Sequence, residues 1–255
     1  LGSPLISMDG RGIWMFHAKR IFFDNNIYAT FDNYLKMFQN DYPTMVTSLS
    51  ASIGLLIGGW NEIFPKFACL IFFASPFIYL SIILKNKLKQ MFFCVIILIL
   101  LEKRIIIGEM DALISIYFLC VAVGLVNFSM KISKFSKIRL LDQDTIFLFI
   151  NILIFSLIKT EAIGGIIILY FVTTISLIIK KVSFNKLLTF FVFGLTALIP
   201  WSFWKYKSSS FILNSTSSTW FELQLIIERI FDFSLYFKIF HLIVFNTHSI
   251  IALLL

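Results

Sequence analysis

Apolar runs long enough to cross a lipid bilayer recur along most of this chain, and that recurrence restricts its fold more than any other feature. In hydrocarbon every backbone N–H and C=O must be bonded within the structure, so a run of about 20 apolar residues is read as a helix. Runs at about 63–84, 90–107, 112–130, 145–159, 162–179, 187–204 and 236–255 predict seven such helices. Composition agrees, with 59% hydrophobic residues, 14% charged residues and a mean hydropathy of +0.91, far above a soluble domain. The fold class is therefore all-α, a polytopic transmembrane helix bundle.

Glu102, Lys103 and Arg104 fall near one end of the second run, where long side chains can reach the interface. Residues 44–59, TMVTSLSASIGLLIGG, are too short and too rich in Ser and Thr for a span, and predict an interfacial or re-entrant helix. The resulting organisation is an outward-facing segment 1–62 with amphipathic juxtamembrane helices, a bundle over 63–204, an outward-facing loop at 205–235 and a truncated span at 236–255. Leu at position 1 and an apolar run still unfinished at Leu255 predict a piece of a longer protein.

Charge provides an independent test of sidedness. Crossing in that order gathers Lys85, Lys87, Lys89, Lys131, Lys134, Lys137, Arg139, Lys180, Lys181 and Lys186 on one side, against only Asp142 and Asp144. The other side keeps twelve basic and twelve acidic residues and is neutral. Lys and Arg in short loops mark the cytoplasmic side, so nearly every carboxylate faces outward. The net charge of +8 is thus a topology signal and does not call for a nucleic acid partner. Cys69, Cys94 and Cys120 lie far apart inside apolar runs and read as packing residues. No glycine-rich phosphate loop or pair of helical histidines is present, which removes support for ATP-driven or zinc-protease chemistry.

Four outward stretches could carry chemistry. In SMDGRGIWMFHAKRIFFDNN, residues 7–26, Asp9 is either a helix cap on an amphipathic anchor or a general base near the cation Arg11. In EKRIIIGEMDALISIYF, residues 102–118, Glu109 and Asp111 open a helix, where capping is one reading; with Arg104 upstream, holding a divalent metal ion or the polar end of a substrate is the other. In IKTEAIGG, residues 158–165, Lys159 and Glu161 are interfacial anchors or, if Lys159 points into a cavity, that lysine suits a phosphate as a compact point charge. ALIPWSFWKYK, residues 197–207, carries Pro200 and belt aromatics at a span end. Asp142, Gln143 and Asp144 spell an Asp-x-Asp on the opposite side, read here as helix capping by Asp144.

In this order the motifs resemble the GT-C superfamily of polytopic glycosyltransferases, in particular its protein O-mannosyltransferase and aminoarabinose transferase branch. Asp9 in SMDGRGIW matches the family's first acidic position, and Asp41 to Pro43 looks like the opening of its last juxtamembrane helix. RIIIGEMD is similar to the stretch that ends on a second acid, here Asp111, while LIKTEAIGG resembles the Lys-x-Glu-Gly turn with Ala162 in place of Gly, and PWSFW matches a later span end. The first span of the family is missing. The resemblance implies inverting transfer of a sugar from a polyprenyl-phosphate donor to a glycan, lipid or protein acceptor, at the outer face of a bacterial inner membrane. Asp9 would be the base, Lys159, Arg104 and Arg11 would face the leaving phosphate, Asp111 and Glu109 would orient the acceptor or a divalent metal, and Glu161 would be a further substrate-binding residue. Transporter or flippase and non-catalytic membrane subunit are the competing readings. An enzyme needs Asp9, Asp111 and Lys159 together in one outward-facing cavity, and a scaffold does not.

Overall fold

The computed structural model describes residues 10–29, 42–84, 86–88, 90–91, 95, 110–134 and 142–211. All of its regular elements are helices. A π-helical turn, Gly10–Trp14, leads into α1 (Met15–Asp24); α2 (Met45–Ile57) follows, then a 3-10 turn (Phe64–Lys66) running into α3 (Phe67–Ile83), and then α4 (Met110–Lys134), α5 (Gln143–Ile158), α6 (Ala162–Ile179) and α7 (Phe184–Phe211). Four helical segments, Phe64–Ile83, Met110–Ser133, Ala162–Ile179 and Phe184–Ser208, are long and apolar enough to cross a bilayer. The chain is a multi-pass membrane protein. The runs predicted at 90–107 and 236–255 lie outside the described residues, save for short pieces of the first.

α4 is the central helix. It packs on α3, α5 and α6, and its Leu113, Tyr117, Cys120, Val121 and Leu125 are essentially inaccessible. α6 and α7 are peripheral and direct Ile168, Phe171, Val172, Leu195 and Ile199 outward, each more than half exposed, as lipid-facing side chains are. Close approach is set by small residues. A Cβ on Gly124 of α4 would lie 2.6 Å from both the Tyr79 hydroxyl of α3 and Leu148 of α5, and one on Gly194 of α7 would lie 2.5 Å from the Tyr170 ring of α6.

Pro76 sits inside α3, where its ring removes the N–H that would have bonded the Phe72 carbonyl. An unbonded carbonyl is costly in hydrocarbon. The buried Tyr117 hydroxyl of α4 supplies the missing donor, reaching the Phe72 oxygen at 2.8 Å. Tyr117→Phe is therefore expected to destabilise the bundle by about 1–3 kcal/mol, read as a lower unfolding temperature in detergent. In a Pro76→Ala background, where the helix can bond Phe72 itself, the same substitution should cost far less. Equal costs in both backgrounds would refute this account.

The helix predicted at 145–159 is present as α5, 16 residues and about 24 Å long at 1.5 Å per residue. Two other expectations need correction. The helix predicted to stop at 204 continues through Pro200 to Phe211, into the first residues of the segment placed at 205–235; the rest of that segment is outside the described residues. The cap of α5 is Asp142, whose carboxylate accepts from the Thr145 amide at 2.9 Å; Asp144 lies within the first turn of the helix.

The helix predicted at 44–59 is present as α2, closed by Gly58 in the left-handed region at φ 82°. α2 packs against α1 and α3, with Phe22 of α1 against Gly54 and Trp60. Tyr28, after α1, stacks on Trp204 of α7, which places this juxtamembrane layer at the same end of the bundle as the end of α7.

Candidate functional site

The α5–α6 turn is only three residues long, Lys159 to Glu161, so it delivers both charges at one end of the bundle. The start of α4 reaches the same end. The Lys159 ammonium lies 3.0 Å from Asp111 Oδ1 and 3.7 Å from Glu161 Oε1, with 17% of the lysine side chain exposed against 70% and 55% for the two carboxylates. The cation is sheltered and the carboxylates open outward.

A third element completes the group. Tyr42, just before α2, donates its hydroxyl to Glu161 Oε1 at 2.7 Å across 119 residues of sequence, and the Lys159 ammonium stands 5.7 Å from the Tyr42 ring centre. The ring of Trp14, from the first helical turn, stacks on Tyr42 with centroids 5.5 Å apart; Trp14 and Tyr42 are 1% and 8% exposed. These two aromatic rings are therefore a wall that fixes the charged turn. The same turn holds the buried Thr160 hydroxyl, which has no hydrogen-bond partner among the described residues.

Of the residues singled out in the sequence, the structure thus joins Asp111, Lys159 and Glu161. Arg11 is exposed and forms no ion pair with another described residue. Asp9, Arg104 and Glu109 lie outside the described residues. No group of three His, Cys, Asp or Glu side chains that could hold a metal ion occurs among the described residues. A divalent ion takes several oxygen ligands; of the two acids named for one, Asp111 has the Lys159 ammonium on one oxygen and Glu109 is outside the described residues. Tyr42 and Trp14 were missed as site residues. Tyr42 stood inside the Asp-Tyr-Pro motif, but nothing in a linear sequence signals a partner as distant as Glu161.

The opposite end carries a different cluster. Lys131, near the end of α4, bonds Asp142 at 2.8 Å and Asp144 at 2.7 Å, and Lys186 of α7 donates to the Ile132 carbonyl at 2.9 Å. Burial alone would raise the Asp142 carboxyl; hydrogen bonds from Lys131 and Thr145, with the Lys131 charge, outweigh it and hold Asp142 below its ordinary value of 3.8. A carboxylate lowered in this way adds stability that is complete above its unfolded value and is lost as pH falls through the lower folded one. Thermal stability should therefore drop on acidification below about pH 4, and Asp142→Asn should flatten that part of the profile. An acid limb unaffected by the substitution would contradict the assignment. This cluster staples α4 to α5 and leaves no cavity of ligand size.

No protein-family model, curated protein or solved structure matches this chain.

Proposed function

We propose that this chain is the membrane part of a glycosyltransferase that moves a sugar from a polyprenyl-phosphate donor to an acceptor on the extracytoplasmic side. The observation that carries the reading is that three motifs of the GT-C-like order meet. The Tyr42 of Asp-Tyr-Pro bonds Glu161 of the Lys-x-Glu turn, and the Lys159 of that turn bonds Asp111 of the Arg-apolar-Asp stretch. Residues separated by up to 119 positions have no reason to converge if each is merely a local cap or anchor. The convergence favours a site over a scaffold. Charges gathered at helix ends, in place of mid-span, favour surface chemistry over a translocation path.

The end bearing Lys131, Lys180, Lys181 and Lys186 is the cytoplasmic one in this reading, by the positive-inside rule, and the Asp111 end faces outward. The reaction needs few parts. An acceptor hydroxyl or amine attacks the anomeric carbon of the donor sugar, and the bond from that carbon to the phosphate oxygen breaks with its electron pair left on the polyprenyl phosphate. The acceptor proton passes to the Asp9 carboxylate and then to water. Lys159 meets the negative charge that grows on the departing phosphate. Attack from the face opposite the leaving group inverts the anomeric centre. A lipid carrier whose tail stays in the bilayer explains why this chemistry belongs to a membrane helix bundle.

The test is to supply the full-length protein in membranes with a set of polyprenyl-phosphate sugars and to follow sugar transfer or release. Turnover of at least one donor is expected. Intact, correctly inserted protein that turns over none of them would refute the proposal.

A further inference from the structure

Lys159 has two carboxylate neighbours, and they are held very differently. Glu161 is anchored by the Tyr42 hydroxyl at 2.7 Å and stands 3.7 Å from the ammonium. Asp111 has the shorter contact, 3.0 Å, yet its side chain is 70% exposed and no other described residue donates to its carboxylate. Asp111 is thus bonded most directly to the lysine and held by least else.

A phosphate arriving at this lysine meets an occupied cation. Settling beside both carboxylates would crowd three anions on one ammonium, and like charges in contact oppose binding. Replacing the exposed carboxylate exchanges one anion for another and leaves the local charge nearly unchanged. We propose that Asp111 is a placeholder: it occupies the anion seat on Lys159 until a phosphate oxygen of a lipid displaces it, while Glu161, tied to Tyr42, stays. The displaced carboxylate is then free to accept a hydrogen bond from a second substrate, so the lipid phosphate binds first and readies the site for its partner. This rests on the reading of the cluster as a phosphate site and adds the order of binding and the residue that sets it.

The experiment measures equilibrium binding to the full-length protein in detergent micelles, for wild type and Asp111→Asn, with three probes: polyprenyl phosphate, phosphatidylglycerol and inorganic phosphate. Asp111→Asn removes a surface charge from an exposed position and should leave the fold intact. It is expected to bind polyprenyl phosphate about tenfold more tightly than wild type, and Lys159→Ala should remove that gain. Equal or weaker binding by Asp111→Asn overturns the placeholder, and if wild type nevertheless turns over a polyprenyl-phosphate sugar, the functional reading survives without it. Tightening seen with phosphatidylglycerol or inorganic phosphate, but no binding of polyprenyl phosphate, keeps the placeholder and overturns the sugar-transfer reading. Failure of all three probes to bind either protein overturns both.

Discussion

Under the proposed sugar-transfer reading, replacing Asp9 with Asn in the full-length protein is expected to lower transfer by about 10²–10⁴-fold, the range over which a positioned general base contributes. The acceptor hydroxyl is a poor nucleophile while it keeps its proton, and an amide of the same shape cannot take that proton. Insertion and expression should be unchanged, since Asn caps a helix about as well as Asp does. The comparison therefore separates the two readings of this position, because a mere cap would leave turnover near wild type. Transfer rates at saturating donor and acceptor give the answer, and a fall in kcat smaller than about threefold would remove Asp9 from the chemistry.

The second large effect is expected at Lys159. Its ammonium is the one cation among the described residues that the structure holds between Asp111 and Glu161. Without it, charge developing on the phosphate oxygen meets two carboxylates and no cation. Lys159→Ala should then cost about 10²–10³-fold in kcat/KM, with part of the loss in donor binding. Lys159→Arg should recover some of it, because the charge is retained while the compact ammonium is exchanged for a planar fork. A stability measurement in parallel is informative: the lysine's bonds are to exposed carboxylates, which contribute little, so the alanine variant should unfold close to wild type. Large losses of stability and activity together would indicate a structural staple, as at Lys131.

Much of the fold could be read from the sequence because bilayer physics leaves few choices. The run at 162–179 is α6 with the same limits, and the run at 63–84 differs from Phe64–Ile83 by one residue at each end. Boundaries failed where local chemistry competes with hydropathy. Pro200 looked like a terminus, but a proline within a long apolar helix can be accommodated, and α7 runs on to Phe211. Asp144 and Asp142 are both credible caps by composition, and they are told apart by the extended backbone at Asp142, ψ 153°, and its bond from the Thr145 amide.

The site was legible in part. Asp111, Lys159 and Glu161 stood out as charges at the ends of apolar runs, and the structure brings both carboxylates to the lysine. What the sequence could not show was their pairing or the residues that enforce it. Trp14 and Tyr42 are aromatic residues of ordinary appearance in a chain with 17% aromatics, so nothing marks them apart until the fold stacks them against the charged turn. The Tyr117 hydroxyl was hidden in the same way: Pro76 announces an unbonded carbonyl at Phe72, but its donor lies 45 residues away on α4.

The location of the lipid phosphate is the claim on which the rest depends. A polyprenyl phosphate bearing a photoreactive group beside its phosphate, applied to the full-length protein in sealed membrane vesicles of known orientation, tests it most directly. Adducts are predicted on the start of α4 and on the Lys159–Glu161 turn, formed only when the probe head group is on the extracytoplasmic face and lost when unlabelled polyprenyl phosphate competes. Adducts at the Lys131, Asp142 and Asp144 end, or labelling that competitor does not reduce, would contradict the account.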